Sequence, residues 1–304
     1  MRFAISIPQY ARDSRFDAVA FRAFLSRVEE LGLFESAWVQ EQVIGAAGSI
    51  APLQTLTYAA ACTEQVRLGC AVFVLPLHNP LHLAKAISSV DCLSHGRLEV
   101  GVATGGKGRP FHAFGVDPDR PVARFNEALA LMKACWTEPV IDFDGHWWKL
   151  QGATMEPKPV QKPYPPLWFG GSAPAGMRRA VRHADGFMGA GSQTPAQFAE
   201  QVTIVREELR AQGRDPGTFR IGKRVYVYVD DDAARGHRRL DEALTEHYGR
   251  SGWSEHILAG PPETCVAGIR RVADAGAELI LLNSLVDDAE QLERLAAEVI
   301  PALG

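Results

Sequence analysis

The chain has few cysteines, and none of them are spaced as metal ligands or as a redox pair. Five cysteines are spread along 304 residues, and no two of them form a C-x-x-C pair. An odd and widely spaced set argues against a disulfide framework and against a zinc site. We therefore expect reduced thiols in a cytoplasmic protein and no bound metal.

Long apolar runs and blocks of like charge are also missing. The first apolar run ends at Pro8, well short of a signal-peptide core or a membrane-spanning helix. With 32 basic and 36 acidic residues the formal net charge is −4, and the basic residues are scattered among the acidic ones. This pattern gives no general attraction to nucleic acid or to a membrane surface. We expect a small organic molecule as the partner instead.

The sequence does contain a regular alternation of short apolar or β-branched runs with amphipathic stretches. Strand candidates cover residues 3–7, 37–40, 66–75, 97–103, 167–170, 186–190, 220–229 and 278–284. Helical stretches lie at 17–31, 51–62, 80–93, 121–136, 174–184, 195–212, 231–248, 262–275 and 289–302. The alternation predicts an α/β fold, with a parallel sheet wrapped by helices. About eight such units predict one (β/α)8 TIM barrel over residues 1–304.

Two segments interrupt this alternation. Residues 140–150 predict two short strands around an Asp144-Gly145 turn, which we interpret as a β-hairpin inserted near 139–150. Residues 155–166 carry five prolines and must stay extended, because proline fixes φ and donates no hydrogen bond. We interpret this second stretch as a connector that crosses the barrel, and a linker between domains is the alternative.

Glycine-rich segments follow the fourth and fifth strand candidates, at the barrel end where active sites lie. Residues 101–107 have the spacing of a P-loop, but Gly108 replaces the required Ser or Thr, so we set a nucleotide-triphosphatase aside. In the second segment, Gly170 and Gly171 precede Ser172, a candidate cap of the helix that begins at Pro174. Backbone N–H groups and the helix dipole favour a phosphate there. The alternative is a tight turn that needs glycine only for its backbone angles.

Strand three is a further candidate feature. Small residues from Gly69 to Ala71 precede a bulky apolar run that stops at Pro76. Small residues let a flat ring approach the backbone, and a bulge there would present a peptide to the ring. Ordinary packing of a barrel strand is the alternative.

Ordered motifs run through nearly the whole chain. They include VLPLHNP at 74–80, DCLSHGRLEVG at 91–101, PLWFGG at 166–171 and ADGF at 184–187. Together they resemble the luciferase-like monooxygenase family, since many spaced matches in order do not arise from barrel packing alone. The resemblance implies an oxidoreductase that depends on a flavin or on a deazaflavin.

The resemblance also implies where the cofactor would bind. Its ring would rest on a strand-three bulge with a non-proline cis peptide at Ala71–Val72 or one residue away. Phosphate and ribityl contacts would fall on Thr104, Gly105, Gly170, Gly171, Ser172, Gly189, Ala190, Gly191 and Ser192. Gly106 stands where sugar-oxidising deazaflavin relatives carry a glutamate, and it leaves room above the ring.

Catalytic candidates follow from the same resemblance. After strand two many relatives carry an acidic residue followed by histidine, whereas this chain has Glu41 and Gln42. An amide hydrogen-bonds a substrate but does not transfer protons near neutral pH as imidazole does. Glu41 remains a candidate acid, and His78, His112 or His146 is a candidate for the missing base. A solvent-facing or capping role is the alternative for each histidine.

The function that we expect is hydride transfer between the deazaflavin F420 and a small organic substrate, because 76–80 and 170–171 look most like the deazaflavin-dependent members. The main alternative is an FMN-dependent monooxygenase that uses reduced flavin and oxygen. A noncatalytic flavin-binding protein is a second alternative, since Gln42 replaces histidine, and a metal-dependent barrel hydrolase is a third. Relatives commonly form dimers, so the resemblance also implies a homodimer.

Overall fold

The computed structural model describes residues 1–11, 15–45, 47–106, 108 and 110–304, and these residues form a closed barrel. Their strands are β1 (Arg2–Ser6), β2 (Ser36–Val39), β3 (Arg67–Val74), β4 (Leu98–Ala103), β5 (Ile141–Asp144), β6 (Lys149–Ala153), β7 (Leu167–Gly170), β8 (Gly186–Gly189), β9 (Arg220–Val229), β10 (Ile257–Gly260) and β11 (Leu279–Asn283). Eight of them pair in parallel in the order β1, β2, β3, β4, β7, β8, β9 and β11, and β11 pairs with β1 to close the barrel. The predicted (β/α)8 fold is confirmed, and each predicted strand overlaps an observed one.

Helices cover the outside of the barrel. In the described residues they are α1 (Ala18–Leu31), α2 (Pro52–Cys62), α3 (Pro80–Leu93), α4 (Pro121–Thr137), α5 (Pro174–His183), α6 (Pro195–Ala211), α7 (Ala233–Tyr248), α8 (Pro262–Asp274) and α9 (Asp288–Arg294). Several begin with proline, whose missing N–H costs nothing in a first turn. Side chains cap others, as Asp17 does for α1. No helix in the described ranges is both long and apolar enough to span a membrane.

Two tryptophans fill the centre of the barrel. Trp38 on β2 and Trp168 on β7 are each 1% exposed, and their rings meet edge to face at 5.8 Å. Glycines on neighbouring strands make room for them. A Cβ added to Gly69 would lie 2.5 Å from the Trp38 ring, and one added to Gly186 would lie 2.7 Å from the Trp168 ring. The middle of the barrel is therefore packed, and a ligand can enter only from an end.

Charged groups close the N-terminal end of the barrel. Glu99 on β4 is 1% exposed and pairs with Arg67 at 2.5 Å and with Arg220 at 3.5 Å. Arg220 also pairs with Glu35 at 2.9 Å. The proline-rich connector passes this end, where Arg67 donates to the side chain of Gln161 at 2.9 Å. The carboxyl ends of the strands, at the opposite end, are left for a functional site.

The predicted hairpin is present between α4 and β7. β5 and β6 pair in antiparallel fashion, and Glu127 on α4 accepts hydrogen bonds from the backbone N–H groups of His146, Trp147 and Trp148. The guanidinium of Arg124 lies 4.7 Å from the centre of the Trp148 ring. These contacts fix the hairpin to α4.

One strand falls outside the sequence prediction. β10 pairs in parallel with the outer half of β9, from Tyr226 to Val229, beyond the point where β8 ends. Its four residues are too short for hydrophobic periodicity to separate them from a loop. β10 also packs against α7, and this places α7 beside the carboxyl end of the barrel.

Candidate functional site

A bulge interrupts the second half of β3. The register of β3 against β4 shifts between Cys70 and Phe73, and the peptide bond between Ala71 and Val72 is cis. Ala71 and Val72 are half-buried, whereas Cys70 and Phe73 beside them are buried. The cis bond lies at the position that the sequence resemblance implies. Contact of these two residues with a cofactor ring stays a prediction.

Glycines on the next two strands make room for the bulge itself. A Cβ added to Gly101 on β4 would lie 2.2 Å from the backbone carbonyl oxygen of Cys70 and 2.9 Å from Cγ1 of Val72. One added to Gly170 on β7 would lie 3.1 Å from the same atom of Val72. A larger residue at either position would therefore push against the bulge, and the two glycines let β4 and β7 pack closely against it.

The segments after β4 and β7 have open space beside them. Thr104 and Gly105 are half-buried and Gly106 is exposed. Gly105 has a φ of 79°, a conformation that favours glycine. A Cβ added to Gly106 or to Gly171 would meet no described atom within 4 Å. These segments therefore leave room for a phosphate-bearing chain, and its binding there stays a prediction.

The predicted helix cap at Ser172 is wrong. α5 begins at Pro174, so the residue in the cap position is Ala173, which has no side-chain acceptor. Ser172 is exposed and lies one residue too early to cap the helix. Because no side chain caps α5, the positive end of its dipole is available to an anion. Phosphate binding by Gly170, Gly171 and Ser172 stays a prediction.

The third predicted cofactor segment follows β8, and packing explains two of its glycines. A Cβ added to Gly189 would lie 2.7 Å from the ring of Phe198 on α6. A Cβ added to Gly191 would lie 2.6 Å from the ring of Tyr226 on β9. These close approaches need glycine whether or not a cofactor is bound, and a cofactor contact here stays a prediction.

The backbone of Ala190 is engaged within the protein. Its N–H donates to Oε1 of Gln193 at 3.2 Å, and its carbonyl accepts a hydrogen bond from Nζ of Lys223, which is 2% exposed. Burial, together with the nearby charge of Arg224, lowers the pKa of Lys223 to about 7. Ser192, the last residue of the predicted segment, is half-buried. The segment thus borders a buried amine that titrates near neutral pH.

Two of the predicted catalytic residues meet beside the bulge. Glu41 follows β2, and its side chain is 3% exposed and accepts a hydrogen bond from the backbone N–H of Val74 at 2.7 Å. Its other oxygen lies 2.7 Å from Nε2 of His78, which follows the turn at the end of β3. The imidazole is 24% exposed and therefore links the buried carboxylate to the open end of the barrel. A carboxylate paired in this way orients the imidazole for proton exchange.

The side chains of the other three candidates make no contact with this pair. Gln42 donates through Nε2 to the backbone carbonyl of His247 at 3.3 Å, and its Oε1 is buried without a hydrogen-bond partner. His112 is exposed on a short turn after β4. His146 lies on the hairpin and is also exposed. Of these histidine candidates, His78 alone adjoins the buried carboxylate.

A positively charged cluster on β9 is absent from the sequence prediction. Nη2 of Arg224 lies 3.1 Å from Oη of Tyr226 and 3.4 Å from Oη of Tyr248, and the two phenol oxygens are 2.6 Å apart. Tyr248 also donates to Oε1 of Gln40 at 3.3 Å. A signal for this cluster exists, because Arg224, Tyr226 and Tyr228 alternate along the strand and alternate residues of a strand face the same side.

Several buried polar atoms at the carboxyl end of the barrel have no hydrogen-bond partner. Among the described residues they include Oγ of Ser6, Oη of Tyr10, Nε of Arg224 and Nδ2 of Asn283. Asn283 on β11 stands opposite Tyr226 on β9, so the two side chains lie at the same level of the barrel. Unpaired polar atoms are costly in a protein interior, and a group of them at one site indicates space for a ligand.

Burial shifts the pKa values of the titratable side chains near Arg224. Burial, and then the charge of Arg224, lowers the pKa of His247 to about 4, so its ring is neutral at pH 7. Burial also raises the pKa of Tyr10, so its phenol remains a hydrogen-bond donor. The guanidinium of Arg224 therefore carries the positive charge here.

The open space that the structure shows at the carboxyl end of the barrel lies beside the segments after β4 and β7, at Gly106 and Gly171. His78 and His82 stand four residues apart where α3 begins, and the carboxylate beside His78 is that of Glu41. Within the described ranges, no group of three or more His, Cys, Asp or Glu side chains is arranged to hold a metal ion.

Known proteins resemble this chain along most of its length. The family described as luciferase-like monooxygenase matches residues 1–279. An F420-dependent glucose-6-phosphate dehydrogenase of Kineococcus radiotolerans is 26% identical over an alignment of 318 residues, which covers 92% of this chain and 91% of that protein. A phthiodiolone/phenolphthiodiolone dimycocerosates ketoreductase of Mycobacterium sp. strain JLS is 28% identical over 187 residues, 61% of this chain and 49% of that protein. The matched stretches span from half to just under two thirds of the length of the first curated relatives.

Two solved structures share the fold. The monooxygenase RslO1 from Streptomyces bottropensis has a TM-score of 0.86 at 22% identity, with 100% of both chains covered. An F420-dependent secondary alcohol dehydrogenase in complex with an F420-acetone adduct has a TM-score of 0.83 at 19% identity, with 100% of this chain and 99% of that chain covered. At such identities the likeness concerns the fold alone. The family match extends over most of the chain and agrees with the barrel and its bulge, and this protein therefore belongs to the luciferase-like monooxygenase family.

Proposed function

We propose that this protein is an oxidoreductase that binds the deazaflavin F420 and transfers a hydride to or from a small organic substrate. The observation that carries the proposal is the position of the Glu41–His78 pair directly beside the half-buried bulge at Ala71–Val72. Hydride transfer to or from an alcohol or a carbonyl needs a redox-active ring and a group that exchanges a proton with the substrate oxygen. The bulge would hold the ring, and His78 would exchange the proton.

The residues that would hold the cofactor lie on three adjacent strands. The bulge at Ala71–Val72 would support the ring, and Gly101 and Gly170 leave the room that Val72 needs in the bulge. Backbone N–H groups of 104–106 and of 170–172, with the uncapped start of α5, would receive phosphate oxygens. When it is bound, F420 supplies hydride transfer, since carbon replaces the reactive ring nitrogen of a flavin.

The protein itself would handle the proton. Oε1 of Glu41 holds Nε2 of His78, so the other ring nitrogen, Nδ1, is the atom left to exchange a proton with a substrate oxygen. The second oxygen of Glu41 is occupied by the N–H of Val74, and this contact ties the pair to the end of β3. Glu41 would thus hold His78 in position for the exchange.

An FMN-dependent monooxygenase is the second candidate. The open space at Gly106 favours it, because oxygen and a substrate must both find room above a flavin ring. The 0.86 TM-score with a monooxygenase is compatible with this alternative at the level of the fold. A shared fold does not choose between the two cofactors.

The test is a side-by-side titration of the recombinant protein with F420 and with FMN, followed by turnover assays. We expect F420 to bind and reduced F420 to be oxidised by carbonyl compounds without oxygen. Retention of FMN with oxygen-dependent turnover, and no binding of F420, would contradict the proposal in favour of the second candidate. Cofactor binding without any turnover, and with no effect of Glu41→Gln, would indicate a noncatalytic flavin-binding protein.

A further inference from the structure

Arg224, at the carboxyl end of the barrel, is a guanidinium without a counter-ion among the residues that the structure describes. Its Nη2 contacts the phenol oxygens of Tyr226 and Tyr248, and its Nε is buried without a partner. No ion pair among the described residues includes Arg224. A cation removed from water is unfavourable unless an anion accompanies it. An anionic ligand would supply the counter-ion that the guanidinium lacks.

The acids on the turn after β11 have partners of their own, and the charge of Asp288 also helps to raise the pKa of Tyr10. Asp287 pairs with Arg239 on α7 at 2.7 Å. Asp288 accepts a hydrogen bond from Oγ of Ser284 at 3.0 Å. The charge of Arg224 therefore remains without a carboxylate partner in the described part of the chain.

The tyrosine and histidine side chains nearest to Arg224 are neutral at pH 7. The Tyr10 hydroxyl is buried without a partner and stays protonated, because burial raises its pKa. The ring of His247 lies 4.9 Å from that of Tyr10 and is neutral at pH 7. Nζ of Lys223 is directed to the carbonyls of Ala190 and Arg224, away from this cluster. One positive charge with neutral donors matches a carboxylate better than a phosphate dianion.

The cluster lies across the barrel from the bulge that would support the cofactor ring. Counted around the barrel, β9 is four strands from β3 in either direction. Strands four apart in a closed eight-stranded barrel face each other. A molecule held at Arg224 therefore extends over the open end of the barrel toward Ala71–Val72.

We propose that Arg224, together with the Tyr10 hydroxyl, binds the carboxylate of a small organic acid, and that this acid is the substrate. The carboxylate site stands on its own geometry, and only the role of the acid as substrate rests on the proposed function. The acid would accept hydrogen bonds from the guanidinium and from the phenol, while its reacting carbon lies toward the bulge.

The test is calorimetric titration of the full chain, without added cofactor, with benzoate, benzamide and inorganic phosphate. We expect benzoate to bind and benzamide, which lacks the charge, to bind at least about tenfold more weakly. Arg224→Met should weaken benzoate by about 10- to 100-fold, the usual effect of losing a charge-assisted hydrogen bond. Arg239→Met is the matched control, because it removes the same charge from a guanidinium that Asp287 already neutralises.

Three results overturn the carboxylate site: no binding of benzoate, equal benzoate affinity in the wild type and in Arg224→Met, or tighter binding of inorganic phosphate than of benzoate. Circular dichroism checks the fold of each variant. If Arg224→Met does not fold, Tyr10→Phe removes one hydroxyl and no charge, and unchanged benzoate affinity in that variant overturns the proposal equally.

Titration of the same samples with F420 and FMN separates this inference from the proposed function. Cofactor binding without any effect of Arg224 on benzoate leaves the proposed function and removes the carboxylate site. A carboxylate effect in a protein that binds neither cofactor keeps the site and removes both the proposed function and the role of the acid as its substrate.

Discussion

Nε2 of His78 lies 2.7 Å from Oε1 of Glu41, although the two residues stand on different loops at the carboxyl end of the barrel. The position directly after Glu41 carries Gln42, whose amide does not transfer protons near neutral pH. The loop after β3 therefore brings an imidazole to the carboxylate that the loop after β2 supplies. This relationship leads to the first two predictions.

Replacement of His78 by glutamine should lower kcat by about 100-fold or more, the usual contribution of a general acid–base group. The affinity for F420 should change little, because His78 is not among the residues that would hold the cofactor. The exposed His82→Gln variant, one turn further along the chain, is the matched control and should behave as wild type. Equal turnover in the two variants would exclude His78 as the proton-exchanging group.

Glu41→Gln should distinguish the catalytic role of Glu41 from its contribution to stability. The amide oxygen can still accept the hydrogen bond from Val74, so we expect a loss in kcat of about tenfold or more with little change in stability. Glu41→Ala leaves the buried N–H of Val74 unpaired and should also lower the free energy of unfolding by about 1–3 kcal/mol. Urea unfolding of both variants measures the difference. Equal free energies of unfolding in the two variants would show that the hydrogen bond from Val74 to Glu41 does not contribute to stability.

Gly101→Ala should disturb the bulge of β3. The added Cβ would lie 2.2 Å from the backbone carbonyl oxygen of Cys70 and 2.9 Å from Cγ1 of Val72, so we expect a free energy of unfolding lower by about 1–3 kcal/mol, as for other overpacked cores. The F420 dissociation constant should rise by at least about tenfold if the ring lies on the bulge. Gly176→Ala on α5 is the control, since its Cβ meets no described atom within 4 Å. Unchanged cofactor affinity in Gly101→Ala would argue that the ring lies elsewhere.

Lys223 should make the free energy of unfolding depend on pH above neutrality. Its pKa is lowered from 10.5 to about 7 in the folded chain, mainly by burial. Between about pH 7 and 10.5 the unfolded chain therefore holds a proton that the folded chain lacks, and stability rises with pH through this window. Relative to Lys223→Met, the wild type should gain about 2–5 kcal/mol from pH 7 to pH 10.

Urea unfolding at several pH values measures this gain. The exposed Lys149→Met variant is the control, and its stability curve should run parallel to that of the wild type. A parallel curve for Lys223→Met as well would show that Lys223 keeps an ordinary pKa in the folded chain.

Pattern and resemblance predict the scaffold well, because each of the eight barrel strands has a local signal. The alternation predicts these strands, and proline at helix starts indicates where many helices begin. β10 is missed because four residues carry too little periodicity. Ser172 is misplaced as a cap by one residue, because a helix whose first residue is Pro174 has Ala173 in the cap position. The single-domain organisation and the homodimer stay predictions.

The site is less predictable, because its contacts join residues from distant parts of the chain. Glu41 and His78 each stand out as candidates, but their contact depends on how two loops meet. Arg224 is missed although Arg224, Tyr226 and Tyr228 alternate along the strand. The side of a barrel strand that faces inward becomes evident only when the register of the strands is known. Its partner Tyr248 comes from α7, and no local pattern joins the two.

A crystal structure of the protein with F420 tests the central claim most directly. We expect the deazaflavin ring on the β3 bulge at Ala71–Val72, its phosphate beside 104–106 and 170–172, and His78 facing the ring edge where a substrate would enter. A deazaflavin ring bound away from β3, with the bulge at Ala71–Val72 left uncovered, would contradict the account.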